Sequence, residues 1–170
     1  MNVLSLISIG VAAALIAEPF VKSRAAKKRR SKAYENWRTE YRQRAEYNRA
    51  HLPSKELPQF SPDWNYVNRL IIETRFQLYD RGDVFLCYEY ENRNEYENTS
   101  RTIPKSDFDG DTLKLINLIK KDFDWFYGHP TGETVGECMT VLEGFLSDKY
   151  PMLPAESISW ITNRFGLLAR

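Results

Sequence analysis

The sequence predicts an α+β fold: an N-terminal single transmembrane helix that continues into a basic amphipathic helix, then a small antiparallel sheet of two or three strands covered by three helices. Three observations carry this prediction. The N-terminal residues are almost wholly apolar, alternating apolar and polar residues follow near the middle of the chain, and three helical patterns close it. Strands followed by helices indicate a sheet with helices on one face.

Composition limits the classes of protein to which the chain can belong. Its 170 residues suffice for one domain plus an appendage, and 42% hydrophobic residues support a packed core. Two cysteines exclude a disulfide scaffold, and two histidines exclude a three-histidine metal site. The chain lacks the Gly-x-Ser-x-Gly, His-Glu-x-x-His and Rossmann motifs. We therefore predict no catalytic residue and no cofactor, and an enzyme is not the favoured class.

Residues 1–21 are predicted to form the transmembrane anchor. The run Val3–Ala17 carries no charge, and extending it to position 21 adds only Glu18. At about 1.5 Å per residue, roughly 20 residues cross the 30 Å bilayer core. Basic residues follow this run and none precedes it, so the N-terminus is expected outside and the C-terminal domain in the cytoplasm. The missing basic start argues against a cleaved signal peptide. Gly10 and Ala14, four residues apart, would allow a homo-oligomer through the anchor.

Residues 22–50 form a basic juxtamembrane segment. They hold 11 Lys and Arg against 3 Glu, a net charge of +8, whereas residues 51–170 hold 13 Lys and Arg against 19 Asp and Glu, a net charge of −6. Each basic residue beside a membrane is attracted to anionic lipid by about 1 kcal/mol, so we expect anionic membrane lipid as a partner. Setting topology alone is the open alternative, and nucleic acid is not favoured beside a membrane. The lipid-facing basic cluster comprises Lys22, Arg24, Lys27, Lys28, Arg29, Arg30 and Lys32.

The second part of this segment is predicted to be helical, because Ser31–Ala50 contains neither Gly nor Pro. Tyr34, Trp37 and Tyr41 fall at i, i+3 and i+7 and share one side of that helix. Packing of this stripe on the body of the same protein is the favoured interpretation. A lateral contact with another chain remains open.

A proline-rich linker is predicted over residues 51–63, followed by an acidic cytoplasmic α+β domain over residues 64–170. The three prolines of the linker forbid a regular helix. Its apolar side chains, Leu52, Leu57 and Phe60, are expected to lie against the surface of the domain.

Two runs with a period of two, Leu70–Tyr79 and Val84–Glu91, predict a β-hairpin. A three-residue loop pairs Leu78 with Val84 and places the better apolar set of the two runs on one face of the hairpin. It predicts a type I turn with Gly82 in the left-handed conformation and a bulge beside it.

The polar stretch after the hairpin is predicted to turn back and form a third, edge strand through Ile103. Tyrosines alternate there with acidic residues, which favours a protein partner. The candidate partner surface comprises Tyr88, Glu89, Tyr90, Glu91, Glu95, Tyr96 and Glu97.

Three amphipathic helices are predicted over residues 109–127, 133–149 and 155–168, each ended by Gly or Pro or by the end of the pattern. Thr131 is the expected cap of the second helix. Cys87 and Cys138 fall on or near core faces and are expected to be inert.

The stretch Asp107-Phe108-Asp109-Gly110-Asp111-Thr112-Leu113 resembles the nucleophile motif of the haloacid dehalogenase phosphatases, Asp-x-Asp-Gly-Thr-Leu, in which two carboxylates lie beside magnesium. It departs from the motif by the extra Asp111, and a polar stretch containing Pro104 precedes it where the family has a buried strand. A calcium loop would need Gly in place of Thr112 and Glu in place of Leu118.

A helix start capped by Asp109 or Ser106 is therefore the favoured interpretation of this stretch. The candidate metal ligands of the alternative are Asp107, Asp109 and Asp111.

Together these observations favour a single-pass membrane-anchored cytoplasmic protein–protein interaction module. It would be an accessory subunit of a membrane complex, or an immunity or exclusion factor. One alternative is a metal-dependent hydrolase that uses Asp107 and Asp109. Another is a membrane-surface organiser that binds anionic lipid through residues 22–50.

Overall fold

The computed structural model describes residues 3–89 and 99–169, leaving aside the side chains of residues 3–26, 88–89 and 99–100. Its elements confirm the α+β class, with five helices and a three-stranded antiparallel sheet among the described residues. In chain order they are α1 (Val3–Ala50), α2 (Trp64–Thr74), β1 (Leu78–Arg81), β2 (Val84–Glu89), β3 (Thr99–Pro104), a 3₁₀ turn (Lys105–Asp107), α3 (Gly110–Gly128), α4 (Val135–Lys149) and α5 (Ala155–Leu168).

The chain divides into two compact units, Met1–Gln43 and Arg44–Arg170. Within the described residues, no helix combines the length and the apolar composition that crossing a bilayer requires. The predicted anchor over residues 1–21 falls where the side chains lie outside the description. The transmembrane helix therefore stays a prediction.

The last turns of α1 pack into the second unit. Ala45 and Asn48 are buried there. The Nδ2 of Asn48 donates to the carbonyl of Pro130 at 2.8 Å. Arg49 donates through Nε and Nη2 to the carbonyl of Thr131, at 2.9 and 2.8 Å. The end of α1 is thereby fastened to the loop between α3 and α4.

The linker after α1 behaves as its composition predicts. Leu52, Leu57 and Phe60 are partly buried and pack against the hydrophobic core. Asp63 ends the linker as the N-cap of α2, with its side chain accepting from the amide of Tyr66 at 3.0 Å. The apolar residues of the linker therefore contribute to the core although the segment has no regular structure.

The predicted strand Leu70–Tyr79 is wrong over its first half, which belongs to helix α2. The buried residues of α2 are Val67, Leu70, Ile71 and Thr74, which follow the helical spacing i, i+3, i+4 and i+7. Adjacent apolar residues in this stretch fit both the helical period of about 3.6 residues and the strand period of two. The N-cap at Asp63, the last residue of the predicted linker, favours the helix.

Two residues in the left-handed backbone conformation end α2, and only a short strand follows them. Arg75 and Phe76 have φ angles of 48° and 56°. Such a conformation costs an ordinary residue about 1–2 kcal/mol. Burial of Phe76, whose ring packs edge-on against that of Phe123 at 5.3 Å, offsets this cost. The chain therefore enters β1 only at Leu78.

The predicted register of the hairpin is also wrong. Leu78 pairs with Cys87, and Arg81 pairs with Val84 across a two-residue turn. Gly82 has the predicted positive φ, 58°, but it is the first of two turn residues, as in a type II′ turn. This turn matches the twist of the strands, so the bulged loop is not needed.

The change of register turns the other face of the hairpin toward the core. Phe85 and Cys87 are completely buried, together with Leu78 and Ile103. The ring of Phe85 packs edge-on against Phe108 at 5.8 Å. The third strand, which pairs with β2 and places Ile103 opposite Phe85, confirms the predicted edge strand.

The three predicted C-terminal helices are confirmed as α3, α4 and α5. Asp109 caps α3 by accepting from the amides of Asp111 and Thr112. Helix α4 packs closely on α5, where a side chain at Gly166 would meet the sulfur of Met139 at 2.7 Å. The fully buried large side chains of the core are Phe85, Leu115, Ile119, Phe126, Leu142, Phe145, Leu146, Tyr150 and Ile161, with Val67 among the smaller ones.

A buried polar network ties α3 to the end of α4. Asp122 of α3 and Lys149 of α4 are both buried and form an ion pair, with Nζ 2.8 Å from Oδ2. The hydroxyl of Tyr150 donates to the same carboxylate oxygen at 2.5 Å. The ammonium of Lys149 also lies over the ring of Phe145, 5.4 Å from its centroid. One carboxylate thus satisfies two donors in the interior.

We expect single substitutions in this network to destabilise the protein more than a double apolar one. Asp122→Asn or Lys149→Met leaves one charge buried without its partner, at a cost of about 3–5 kcal/mol. Asp122→Leu combined with Lys149→Met removes both charges and should cost less than either single change. Urea unfolding measures each free energy. Lys121→Met, which alters an exposed residue of α3, should change it by less than about 0.5 kcal/mol. Single variants within that range would refute the role of the network.

Alkaline pH provides a second test of the network. Burial, followed by the bond to Asp122, raises the pKa of Tyr150 above its ordinary value. An unfolded tyrosine ionises near pH 10, so at higher pH the unfolded state loses a proton that the folded state keeps. The free energy of unfolding therefore falls by up to about 1.4 kcal/mol per pH unit. Tyr150→Phe should lose stability less steeply above pH 10 in urea unfolding. Tyr127→Phe, at an exposed position, should keep the slope of the wild type. Equal slopes for all three proteins would contradict the prediction.

Candidate functional site

The aromatic stripe on α1 forms a row of three neighbouring rings, here called the aromatic ladder (Tyr34, Trp37 and Tyr41). The ring centroids of Tyr34 and Trp37 lie 5.8 Å apart, and those of Trp37 and Tyr41 lie 5.4 Å apart at an angle of 30°. Tyr34 and Trp37 are 57% and 56% exposed, and Tyr41 is half-buried. Packing of the stripe on the body of the same protein stays a prediction, because the stripe lies in the first compact unit and the body is the second.

The surroundings of the aromatic ladder are strongly basic. Residues 27–43 contain seven Lys and Arg and two Glu, a net charge of +5. Every residue from Lys27 to Glu40 is exposed, which includes the part of the lipid-facing basic cluster from Lys27 to Lys32. The side chains of Lys22 and Arg24 lie outside the described residues.

The chemistry of the aromatic ladder is that of recognition. Offset stacking holds adjacent rings in a preferred arrangement before anything binds. Tyrosine and tryptophan bury a large area at a small cost in side-chain entropy, because each has only two side-chain torsions. A surface of this kind, surrounded by cations, suits a partner that offers apolar contacts beside negative charge.

The predicted partner surface after the hairpin cannot be compared with the structure. Tyr88 and Glu89 lie in β2, but their side chains are outside the described part of the chain. The rest of that surface lies entirely outside it: Tyr90, Glu91, Glu95, Tyr96 and Glu97.

Two of the three aspartates of the phosphatase-like stretch have structural partners. The side chain of Asp109 caps α3, and hydrogen bonds, first that to the hydroxyl of Thr112, hold its pKa below the usual value. Asp111 bonds Lys114 at 2.9 Å and accepts from the amide of Ser61 at 3.0 Å, and its pKa is lowered, mainly by Lys114. Asp107 lies exposed in the 3₁₀ turn.

In the described part of the chain, no three His, Cys, Asp or Glu side chains come together in a group that could hold a metal ion. The side chain of Asp109 accepts from the amides of Asp111 and Thr112, which confirms its predicted capping role. Cys87 and Cys138 are buried, as their positions on core faces predict.

The predicted N-cap of α4 is wrong by three residues. Thr134, rather than Thr131, accepts from the amide of Glu137 at 3.1 Å, and Glu137 in return accepts from the amide of Glu133. The side chain of Thr131 is buried, and its hydroxyl has no hydrogen-bond partner among the described residues. The backbone carbonyl of Thr131 accepts from Arg49.

A cleft that sequence reasoning missed lies where β1, α3 and α5 meet. Its cavity has a volume of about 200 Å³. It is lined by Phe76, Gln77, Leu78, Tyr79, Asp80, Lys120, Phe123, Asp124, Arg164 and Leu168. The charged members come from three separate elements, so no local motif could have indicated them.

Comparisons with protein-family models, with curated proteins and with solved structures gave no match. The function is therefore argued from the side chains and their geometry. The aromatic ladder and the cleft are the two surfaces on which such an argument can rest.

Proposed function

We propose that this protein is a membrane-anchored interaction module. Its aromatic ladder binds an acidic surface of a partner protein. The observation that carries the proposal is the exposure of Tyr34 and Trp37, each more than half accessible although their ring centroids lie only 5.8 Å apart. Large aromatic side chains contribute most to core stability when they are buried. Their presence on an exposed face of α1 is explained by a partner that covers them.

Trp37 is the expected centre of the contact. Its ring stacks on that of Tyr41 and lies tilted against that of Tyr34, so it occupies the middle of the aromatic ladder. Tryptophan and tyrosine are enriched among the few interface residues that carry most of the binding energy. Burying the exposed area of these rings contributes about 25 cal/mol for each Å² of apolar surface.

The charge around the aromatic ladder selects the chemistry of the partner. The net charge of +5 over residues 27–43 attracts an acidic surface and raises the rate of encounter. Such attraction weakens as salt is added, because the charges of this segment are exposed.

The position of the aromatic ladder favours a protein partner over a lipid headgroup layer. Helix α1 is continuous, and Trp37 comes 16 residues after Val21, the end of the predicted anchor. At a rise of 1.5 Å per residue, this separation is about 24 Å. The headgroup layer on each side of a bilayer is only about 5–8 Å deep. Aromatic residues that anchor a helix at the interface belong nearer the end of the span.

A photo-crosslinker tests this proposal in native membranes. Benzoylphenylalanine replaces either Trp37 or Thr39 in the full-length chain, and adducts are identified by mass spectrometry. The two positions are about 200° apart around the helix, and both are exposed. We expect a stoichiometric protein adduct from position 37 that diminishes as salt rises, and none from position 39.

Two further results complete the test. Trp37→Ala should reduce recovery of that same partner at least tenfold, whereas Thr39→Ala should not change it. Equal adducts from both positions would contradict the proposal. A lipid adduct from position 37 would also contradict it, and would favour the membrane-surface organiser that acts through residues 22–50.

A further inference from the structure

We propose that the cleft between β1, α3 and α5 binds a carboxylate that carries an apolar group. In this arrangement Arg164 and Lys120 hold the carboxylate, and Phe76, Phe123 and Leu168 enclose the apolar group. The inference is independent of the aromatic ladder and of any partner bound there.

The apolar side of the cleft is built from two rings and an aliphatic rim. Phe76 and Phe123 are buried and pack edge to face at 5.3 Å. Leu168, which is 39% exposed, lies at the opening. The cavity of about 200 Å³ is smaller than the sites that hold drug-sized ligands, about 300–1,000 Å³. A small molecule or a single terminal residue of a polypeptide fits this volume.

Arg164 brings a guanidinium with several N–H donors to the cleft. Its Nη2 donates to the hydroxyl of Tyr79 at 2.5 Å, and its guanidinium carbon lies 5.7 Å from the centroid of that ring. Among the described residues, no carboxylate lies within ion-pair distance of Arg164. A guanidinium carries five N–H donors in a planar fork that matches a carboxylate, and one bond to Tyr79 leaves most of them available.

Lys120 provides a second, partly desolvated cation. Its Nζ donates to the carbonyl of Leu78 at 2.5 Å and lies 5.7 Å from the centroid of the Phe85 ring. An ammonium has three donors, so this single bond leaves capacity for a ligand. Burial lowers the pKa of Lys120, which means that its charged form lacks some of its normal solvation. A bound anion would supply that missing stabilisation.

The acidic residues of the cleft determine its net charge, and therefore which ligand charge it accommodates best. Asp80 is paired with Lys105 at 2.6 Å and is largely neutralised. Asp124 is exposed, comes four residues after Lys120 on α3, and contributes one negative charge against the two positive charges of Lys120 and Arg164. The cleft therefore has an excess of one positive charge, which suits a monoanion. A phosphate dianion would leave one charge unbalanced and would gain nothing from the apolar walls.

Isothermal titration of the full-length protein in lipid nanodiscs tests the inference with N-acetyl-leucine as the probe. We expect saturable binding of this acid and at least tenfold weaker binding of the neutral N-acetyl-leucinamide, because the amide offers no charge-assisted bonds. Two pentapeptides that end in leucine, one with a free and one with an amidated C-terminus, distinguish the source of the carboxylate. Tighter binding of the free peptide than of N-acetyl-leucine would indicate a polypeptide terminus. Binding of N-acetyl-leucine alone would indicate a small acid.

Variants then locate the binding in the cleft. Arg164→Gln and Lys120→Met should each weaken binding of N-acetyl-leucine at least tenfold. Arg164→Lys, which keeps the charge but loses the planar fork, should weaken it by less than Arg164→Gln. Lys121→Met, at the exposed neighbouring position, should bind as the wild type does. Equal binding of acid and amide, no binding of either acid or free peptide, or binding that survives Arg164→Gln would overturn the inference.

Discussion

The buried carboxylate of Asp122 is the interaction on which the packing of the domain depends. It accepts from Lys149 at 2.8 Å and from the hydroxyl of Tyr150, and all three residues are buried. Because a buried charge without a partner is costly, α3 and the end of α4 fit together only when these groups meet. The network therefore fixes one arrangement of two helices that apolar contacts alone would leave free to slide.

This arrangement also positions the surfaces that remain outside the core. The loop between α3 and α4 receives Asn48 and Arg49, so the end of α1 is held by the same pair of helices. Helix α3 carries Lys120 to the edge of β1, where the lysine meets the carbonyl of Leu78. The cleft proposed for a carboxylate thus relies on this scaffold for the position of Lys120.

The hydrophobic pattern predicted the secondary structure correctly where it fits only one period, that of a helix or that of a strand. Helix α5 has the predicted bounds, because its apolar stripe is clear and proline precedes it. The Leu70–Tyr79 run failed because its adjacent apolar residues fit both periods, and the left-handed pair at Arg75 and Phe76 leaves no local signal. The spacing of the aromatic ladder was predictable but its exposure was not, since periodicity shows only that residues share a face. The cleft was unpredictable because Lys120 and Arg164 meet only through tertiary packing.

The central claim is that the aromatic ladder serves recognition and contributes nothing to the packed core. Hydrogen–deuterium exchange of the full-length chain, read by mass spectrometry for the wild type and for Trp37→Ala, tests it most directly. The account predicts equal protection of the amides of α3, α4 and α5 in the two proteins, because Trp37 is 56% exposed. Faster exchange across those helices in Trp37→Ala would contradict the account, since it would show that the ring stabilises the core.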